Sequence, residues 1–303
     1  MKNPQWNAEN IPSQDGRVAI VTGSSSGLGY ETARVLANKQ AEVILAVRNL
    51  DKGNKALAKI LQQNPDAKVK VLELDLANLA SVKSFAANFK ANYAQLDLLI
   101  NNAGVMVPPY TKTVDGFELQ FGTNHLGHFA LTGQLLPLVL STGDSRIVNV
   151  SSAAHTMGNI DFDDLSWQKR RYAKWKAYGD SKLANLYFTY ELDRQLKAHG
   201  LTTLVTASHP GWTATELQRT SSLIAFLNGF FAQDITMGAL PTLRAAIEPG
   251  LNGSEYFGPQ GFMEVRGYPI KVKSNELSQD QAIAKKLWSV SEKLTDVKFE
   301  FNP

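Results

Sequence analysis

One glycine-rich turn, set between a strand and a helix, constrains this chain more than any other stretch. Residues 17–22 read as a short buried strand, and from Leu28 the apolar residues Leu28, Ala33, Leu36 and Ala37 fall at helical spacing. Between them lies Thr22-Gly23-Ser24-Ser25-Ser26-Gly27-Leu28-Gly29. Glycines here let the backbone approach a pyrophosphate closely, and the helix start aims its unpaired amides at the negative charge. A tight turn without a ligand fits the same spacing. The context favours the phosphate: a second strand, residues 42–47, follows at the distance expected of a βαβ unit.

The alternation continues along the chain. Helical patterns over 51–63 (with Asp51 as cap), 78–93, 114–140, 181–199 and 279–294 separate strand patterns over 68–75, 96–100, 146–150, 203–208 and 256–259. The strand at 96–100 is Leu and Ile at every position but Asp97, as expected when helices cover both faces. The pattern predicts an α/β fold, a doubly wound parallel sheet of about seven strands with helices on both faces.

With 303 residues, 44% of them hydrophobic, the chain can bury one large core or two small ones. No linker, repeat or low-complexity run divides it, so the expectation is one domain over 15–303 behind an N-terminal extension, 1–14. The absence of cysteine excludes disulfides, thiolate zinc sites and a cysteine nucleophile, and fits a reducing compartment. Residues 1–15 are polar with Pro4 and Pro12, unlike a signal peptide, and no later run approaches the ~20 apolar residues of a membrane span. A soluble, cytoplasmic protein is expected. A net charge of +3 is too small to argue for nucleic acid. Lys169, Arg170, Arg171, Lys174 and Lys176 cluster with Trp167, Tyr172 and Trp175. They read as a solvated basic loop whose arginines can pair with Asp161, Asp163 and Asp164; a patch for an acidic ligand or anionic surface is the alternative.

Individual positions sharpen the nucleotide reading. An acidic residue about 20 positions past the glycines holds a ribose 2′-hydroxyl, whereas an arginine accommodates a 2′-phosphate. Here Ala46, Val47 and Arg48 fill that zone without a carboxylate, which favours NADP over NAD; Asn49 or a serine of the turn would be the selector if Arg48 is only a surface residue. Asp75, with Leu76 beside it, ends a strand where an adenine edge would lie. Asn101-Asn102-Ala103-Gly104 ends another, its small residues allowing backbone against a flat ring and its amides able to bridge strands, though an ordinary turn has the same composition.

Tyr178 and Lys182 are one helical turn apart, so their hydroxyl and ammonium can converge on one small molecule. A cation beside a phenol, whose ordinary pKa is about 10, would favour proton exchange nearer neutrality. Alone, the pair is a common accident. Ser151-Ser152 ends the strand at 146–150, where either hydroxyl can meet a substrate oxygen or form a turn. Asn124 interrupts an apolar helix and by periodicity is structural, bonded to a water or a backbone group. His125 and His128 lack acidic or thiol partners at metal-binding spacing and read as satisfied helix histidines; no metal site is expected. After the strand at 203–208, His209-Pro210-Gly211-Trp212-Thr213 forces a turn, and Thr213 or Thr215 can cap a helix or touch the cofactor amide. The run 221–231, with Leu223, Phe226, Phe230 and Phe231, reads as a lid or substrate wall; a core helix and a membrane-touching surface are the alternatives.

Taken in this order, Thr22–Gly29, Asn101–Gly104, Asn124, Ser152, Tyr178/Lys182 and Pro210-Gly211 resemble the short-chain dehydrogenases/reductases across nearly all of 15–297. Within them the chain is similar to the retinol-dehydrogenase-like group, which includes WW-domain oxidoreductases and light-dependent protochlorophyllide reductases. The resemblance implies a Rossmann-type fold and a catalytic set of Asn124, Ser152, Tyr178 and Lys182. In that set Tyr178 exchanges a proton with the substrate oxygen, Lys182 lowers the tyrosine pKa and holds the nicotinamide ribose, Ser152 bonds the substrate oxygen and Asn124 positions a water. It places the cofactor on Gly23, Ser25, Ser26, Gly27, Leu28, Gly29, Arg48, Asp75, Leu76, Asn102, Ala103, Gly104, Tyr178, Lys182, Pro210, Gly211 and Thr213.

The long stretch between Ser152 and Tyr178 resembles that group's insertion, so 153–177 and 212–247 are expected to wall the substrate pocket. From the polar residues 1–15 an N-terminal anchor like that of membrane-bound retinol dehydrogenases is not expected, and without cysteine neither is the light-dependent reduction. The expected function is NADP-dependent hydride transfer between nicotinamide and an alcohol or carbonyl, on an apolar aldehyde, ketone or retinoid-like substrate, by a monomer or homodimer. The alternative is an NADP-binding sensor or scaffold without chemistry.

Overall fold

Strands form where the apolar, β-branched runs fall. A computed structural model of the chain, describing residues 5–212 and 233–302, contains β1 (Val18–Thr22), β2 (Glu42–Val47), β3 (Val69–Glu73), β4 (Leu98–Asn101), β5 (Arg146–Val150), β6 (Leu204–Ser208), β7 (Tyr256–Pro259) and β8 (Pro269–Val272). They make one sheet in the order β3-β2-β1-β4-β5-β6-β7-β8. Every pairing is parallel except the last, β7 against β8. The expected count of about seven is therefore corrected to eight. The eighth strand opens on Pro269 and holds only four residues, Pro-Ile-Lys-Val, too short a signal to separate from a loop.

Helices cover both faces: α1 (Gly27–Asn38), α2 (Leu50–Gln63), α3 (Leu79–Asn92), α4 (Gly127–Ser141), α5 (Lys174–Ala198), α6 (Ile235–Ile247) and α7 (Gln281–Thr295). On one side Phe85, Phe89, Phe129, Phe188 and Trp288 pack against Ile20, Leu99 and Ile147. On the other, Leu36, Ile60 and Leu243 pack against Val21, Leu45 and Ile100. Truncating one such buried aromatic ring to alanine would cost ~3–5 kcal/mol, so both layers hold the strand ends that build the site.

Three helix starts differ from the sequence reading, each for a local reason. The cap of α2 is Asn49, not Asp51, because the Asn49 side chain accepts the Lys52 amide. The helical pattern from 114 does not begin there: Gly116 takes a left-handed φ of +87° in a turn, and the Glu118 carboxylate caps a single turn, Leu119–Phe121. A π-helical turn, Gly122–Leu126, then leads into α4 and carries Asn124. The catalytic candidate helix α5 starts at Lys174, not Ser181, so Tyr178 lies in its second turn. Lys174 and Lys176, which read as part of a basic loop, belong to its first turn.

Candidate active site

The sheet places a crevice where its strand order turns. From β1 the chain winds outward through β2 and β3, then returns to lay β4 on the other side of β1, and ligands bind at the carboxyl ends of strands at such a switch point. A cavity of about 480 Å³ opens there. Of the residues expected from the sequence, Gly23, Ser25, Ser26, Gly27, Leu28, Gly29, Arg48, Asp75, Leu76, Asn102, Ala103, Gly104, Tyr178, Lys182 and Pro210 line it. Gly211 follows at φ +65°, where a Cβ would stand 2.4 Å from the Val265 carbonyl oxygen. Thr213 and the run 221–231 lie outside the described residues.

The glycine turn is bare backbone for a steric reason. A Cβ on Gly29 would sit 2.4 Å from Asn102 Nδ2 and 2.6 Å from the Gly23 carbonyl oxygen. That crowding exists because the ends of β1 and β4 are stitched together. The Asn102 and Ala103 amides both donate to Thr22 Oγ1 at 2.9 Å, and Asn102 Nδ2 donates to the Thr22 carbonyl at 2.8 Å. Asn101 Nδ2 reaches across to Asn149 Oδ1 on β5 at 2.8 Å, so the amides do bridge neighbouring strands. At the end of β2, Arg48 is exposed, and Asn49 and Lys52 line the cavity beside it. Lys52 escapes the sequence reading; its position in the first turn of α2, four residues after Arg48, is the available signal.

At the other end of the cleft, side chains from three segments meet. Lys182, 4% exposed, donates to the Val150 carbonyl at 3.1 Å and stands 5.7 Å from the centre of the Tyr178 ring. Ser151 lines the cavity, but its hydroxyl is committed to the Lys182 carbonyl at 2.8 Å. Ser152, not among the cavity-lining residues, is the serine that hydrogen-bonds the Tyr178 phenol, while its Oγ also accepts the Ala154 amide. Asn124 is fully buried: its Oδ1 accepts the Val105 amide at 2.7 Å, and its Nδ2 donates to the Val105 carbonyl and to Ser181 Oγ. The backbone partner allowed for Asn124 by the sequence is therefore Val105, the residue after Gly104.

Burial dominates the charges here. It pushes the Tyr178 phenol up to about 12, with the Ser152 hydrogen bond acting in the opposite direction. The expected lowering by Lys182 is not what the protein alone provides, because the ammonium is turned to the Val150 carbonyl and is itself desolvated. Burial lowers Lys182 to about 8.

The remaining candidates are structural. His125 Nε2 bonds Ser291 Oγ, and His128 bridges the Asn124 carbonyl and Thr22 Oγ1 at 2.9 Å each. Burial lowers them to about 3 and about 4, so both are neutral. Among the described residues no group of acidic, histidine or cysteine side chains could hold a metal. Arg170 pairs with Asp161, Asp164 and Asp180 and stacks on Trp167 at 3.8 Å, and Lys176 pairs with Asp180, so two of the segment's five cations are paired. Among the described residues no helix is long and apolar enough to cross a membrane.

Residues 17–223 match the family model described as short chain dehydrogenase. Retinol dehydrogenase 12 of Mus musculus is 40% identical over 290 residues, spanning 94% of this chain and 88% of its own. Among solved structures, an uncharacterised protein of Mycobacterium paratuberculosis is 42% identical with a TM-score of 0.83, over 98% of this chain and 99% of its own. A short chain dehydrogenase of Shigella flexneri complexed with NADP is 25% identical with a TM-score of 0.60, over 79% of this chain and 95% of its own.

Proposed function

The chain belongs to the short-chain dehydrogenases, in their retinol-dehydrogenase-like group, and on that premise we propose that it transfers hydride between NADP(H) and the alcohol or carbonyl carbon of an apolar substrate. The observation that carries the reading is the convergence of Tyr178, Ser152 and Lys182 at one end of a cleft whose other end is a glycine turn. Residues 15–303 would act as one catalytic unit, with 153–177 and the described part of 212–247 beside the substrate.

The residues present fit such a cofactor. The turn from Gly23 to Gly29 offers backbone where a side chain would collide, suited to a pyrophosphate. Arg48 and Lys52 would supply two cations for a 2′-phosphate, Asp75 and Leu76 would stand beside the adenine, and Asn102–Gly104 and Pro210 would wall the rings. The NADP bound by the Shigella flexneri relative supports that choice. When bound, the nucleotide supplies or accepts the hydride.

The protein's own part is protonic. A phenol held near 12 keeps its proton at neutral pH, the form that gives a proton to a carbonyl oxygen during reduction. Ser152, bonded to that phenol, offers its hydroxyl to the same oxygen. Lys182, charged below about 8, would hold the ribose and place positive charge behind the tyrosine. Asn124 fixes Val105 and, through Ser181, the turn of α5 between the two. Trp212, the apolar run 221–231 and the name of the mouse relative support a medium-sized aldehyde, ketone or retinoid-like substrate. The compartment proposed is the cytoplasm, because a chain without cysteine fits a reducing compartment.

The test is loss of NADPH absorbance against a panel of apolar aldehydes and ketones, retinal included, with NADH in parallel. Turnover with NADPH preferred is expected. Tight NADPH binding without turnover on any compound would overturn the reading in favour of a sensor, and a preference for NADH would remove Arg48 and Lys52 from the site.

A further inference from the structure

Beyond the cofactor wall the chain does something costly. Val107, buried and β-branched, is held at φ +48°. That conformation costs such a residue ~1–3 kcal/mol and persists only where its surroundings impose it. The Val107 amide donates to Gln120 Oε1 at 2.8 Å. Gln120 is fully buried, and its Nε2 donates to the Tyr172 hydroxyl at 2.8 Å and to the Lys174 carbonyl at 2.9 Å. Lys174 opens α5, so by the i to i+4 pattern its carbonyl is also the helical partner of the Tyr178 amide. Tyr172 in turn donates to Glu118 Oε1 at 2.8 Å, and its ring meets Tyr110 and Trp167 edge-on. Glu118 caps the turn that leads to Asn124.

We propose that Gln120 is a positioning residue: its one side chain keeps the strained 105–110 loop and the first turn of the tyrosine helix in register. Its kinetic consequence rests on the oxidoreductase reading; its structural consequence does not. Gln120 spans the two segments with one side chain, holding the Val107 amide at one end and the Lys174 carbonyl at the other. The loop begins at Gly104 and Val105 in the cleft, so a shift at Val107 moves the wall facing Tyr178. Misplacement of a reacting group by about 1 Å can cost on the order of 100-fold in rate.

The test compares the full-length protein with Gln120→Met, which keeps volume and removes the three bonds. Where the wild type turns over a carbonyl, the variant should lose roughly 10- to 100-fold in kcat with the KM for NADPH within about two-fold, whereas a uniform collapse of the cleft would raise that KM as well. Adding Val107→Gly should recover much of the loss, because glycine takes a positive φ without being held. A merely structural glutamine would not be rescued this way, since glycine restores none of its hydrogen bonds. Amide exchange by mass spectrometry reads the inference even without turnover: exchange should quicken at 105–110 and 174–178 and not across β1 to β6. Should Gln120→Met be too unstable to purify, Tyr172→Phe should show the same exchange pattern more weakly. Unchanged exchange in those two segments, unchanged kcat in an active protein, or no recovery with Val107→Gly would each overturn it.

Discussion

The two ends of the cleft are built on different principles. The nucleotide end is made of backbone: Gly23 to Gly29, the strand ends of β1 and β4, and the amides that close on Thr22 Oγ1 lie within short stretches of sequence. The reacting end is made of side chains from distant segments, Val105 with Asn124, Asn124 with Ser181, Val107 with Gln120, and Gln120 with Tyr172. A backbone site tolerates little change of shape but asks little of side-chain identity. A side-chain site fails one bond at a time, and does so without losing the cofactor.

On the proposed function Lys182 would serve both ends, so its loss should be the largest break. Lys182→Met should reduce turnover on the order of 10³-fold and also weaken NADPH binding; a fall in one without the other would detach lysine from one end. Gly29→Ala strikes only the backbone end, driving a Cβ against Asn102 Nδ2 and the Gly23 carbonyl. The dissociation constant for NADPH, by fluorescence titration, should rise at least ~10-fold, worth about 1.4 kcal/mol, while kcat at saturation changes little. Arg48→Ala is subtler: NADPH affinity should fall roughly 10-fold and NADH affinity stay level, with the difference shrinking at high salt.

A pH series separates chemistry from folding. With Lys182 lowered to about 8, the rate of carbonyl reduction should be level below that pH and fall above it as the ammonium is lost. Stability should move the other way. Between about 8 and the ordinary lysine value of 10.5 the unfolded chain binds the extra proton, so this group's contribution to stability grows with rising pH and is lost as pH falls through about 8. A reduction rate that climbs from pH about 8 to about 10 would contradict the assignment.

The same division separates what is legible in the sequence from what is not. The strands other than β8, the order of the motifs and the glycine turn are legible because each is a local pattern with one cheap conformation. Lys52 is not, because a lysine early in an exposed helix looks like any other. The start of α5 is hidden because Lys174 and Lys176, on its first turn, have the composition of a loop. Gln120 and Glu118 are invisible, since their partners Tyr172 and Lys174 lie more than 50 residues away. Spacing alone has the tyrosine pKa follow its lysine neighbour; burial, which no spacing rule reports, outweighs that neighbour here.

The most direct test of the account follows a label. With NADPH carrying deuterium at the reactive C4 position and an apolar aldehyde that the wild type reduces, a single turnover should leave deuterium on the alcohol carbon and show a primary isotope effect. Tyr178→Phe should bind the labelled nucleotide with near-normal affinity and transfer essentially no deuterium. Transfer by that variant at the wild-type rate would contradict the claim that this half-buried phenol is the proton donor.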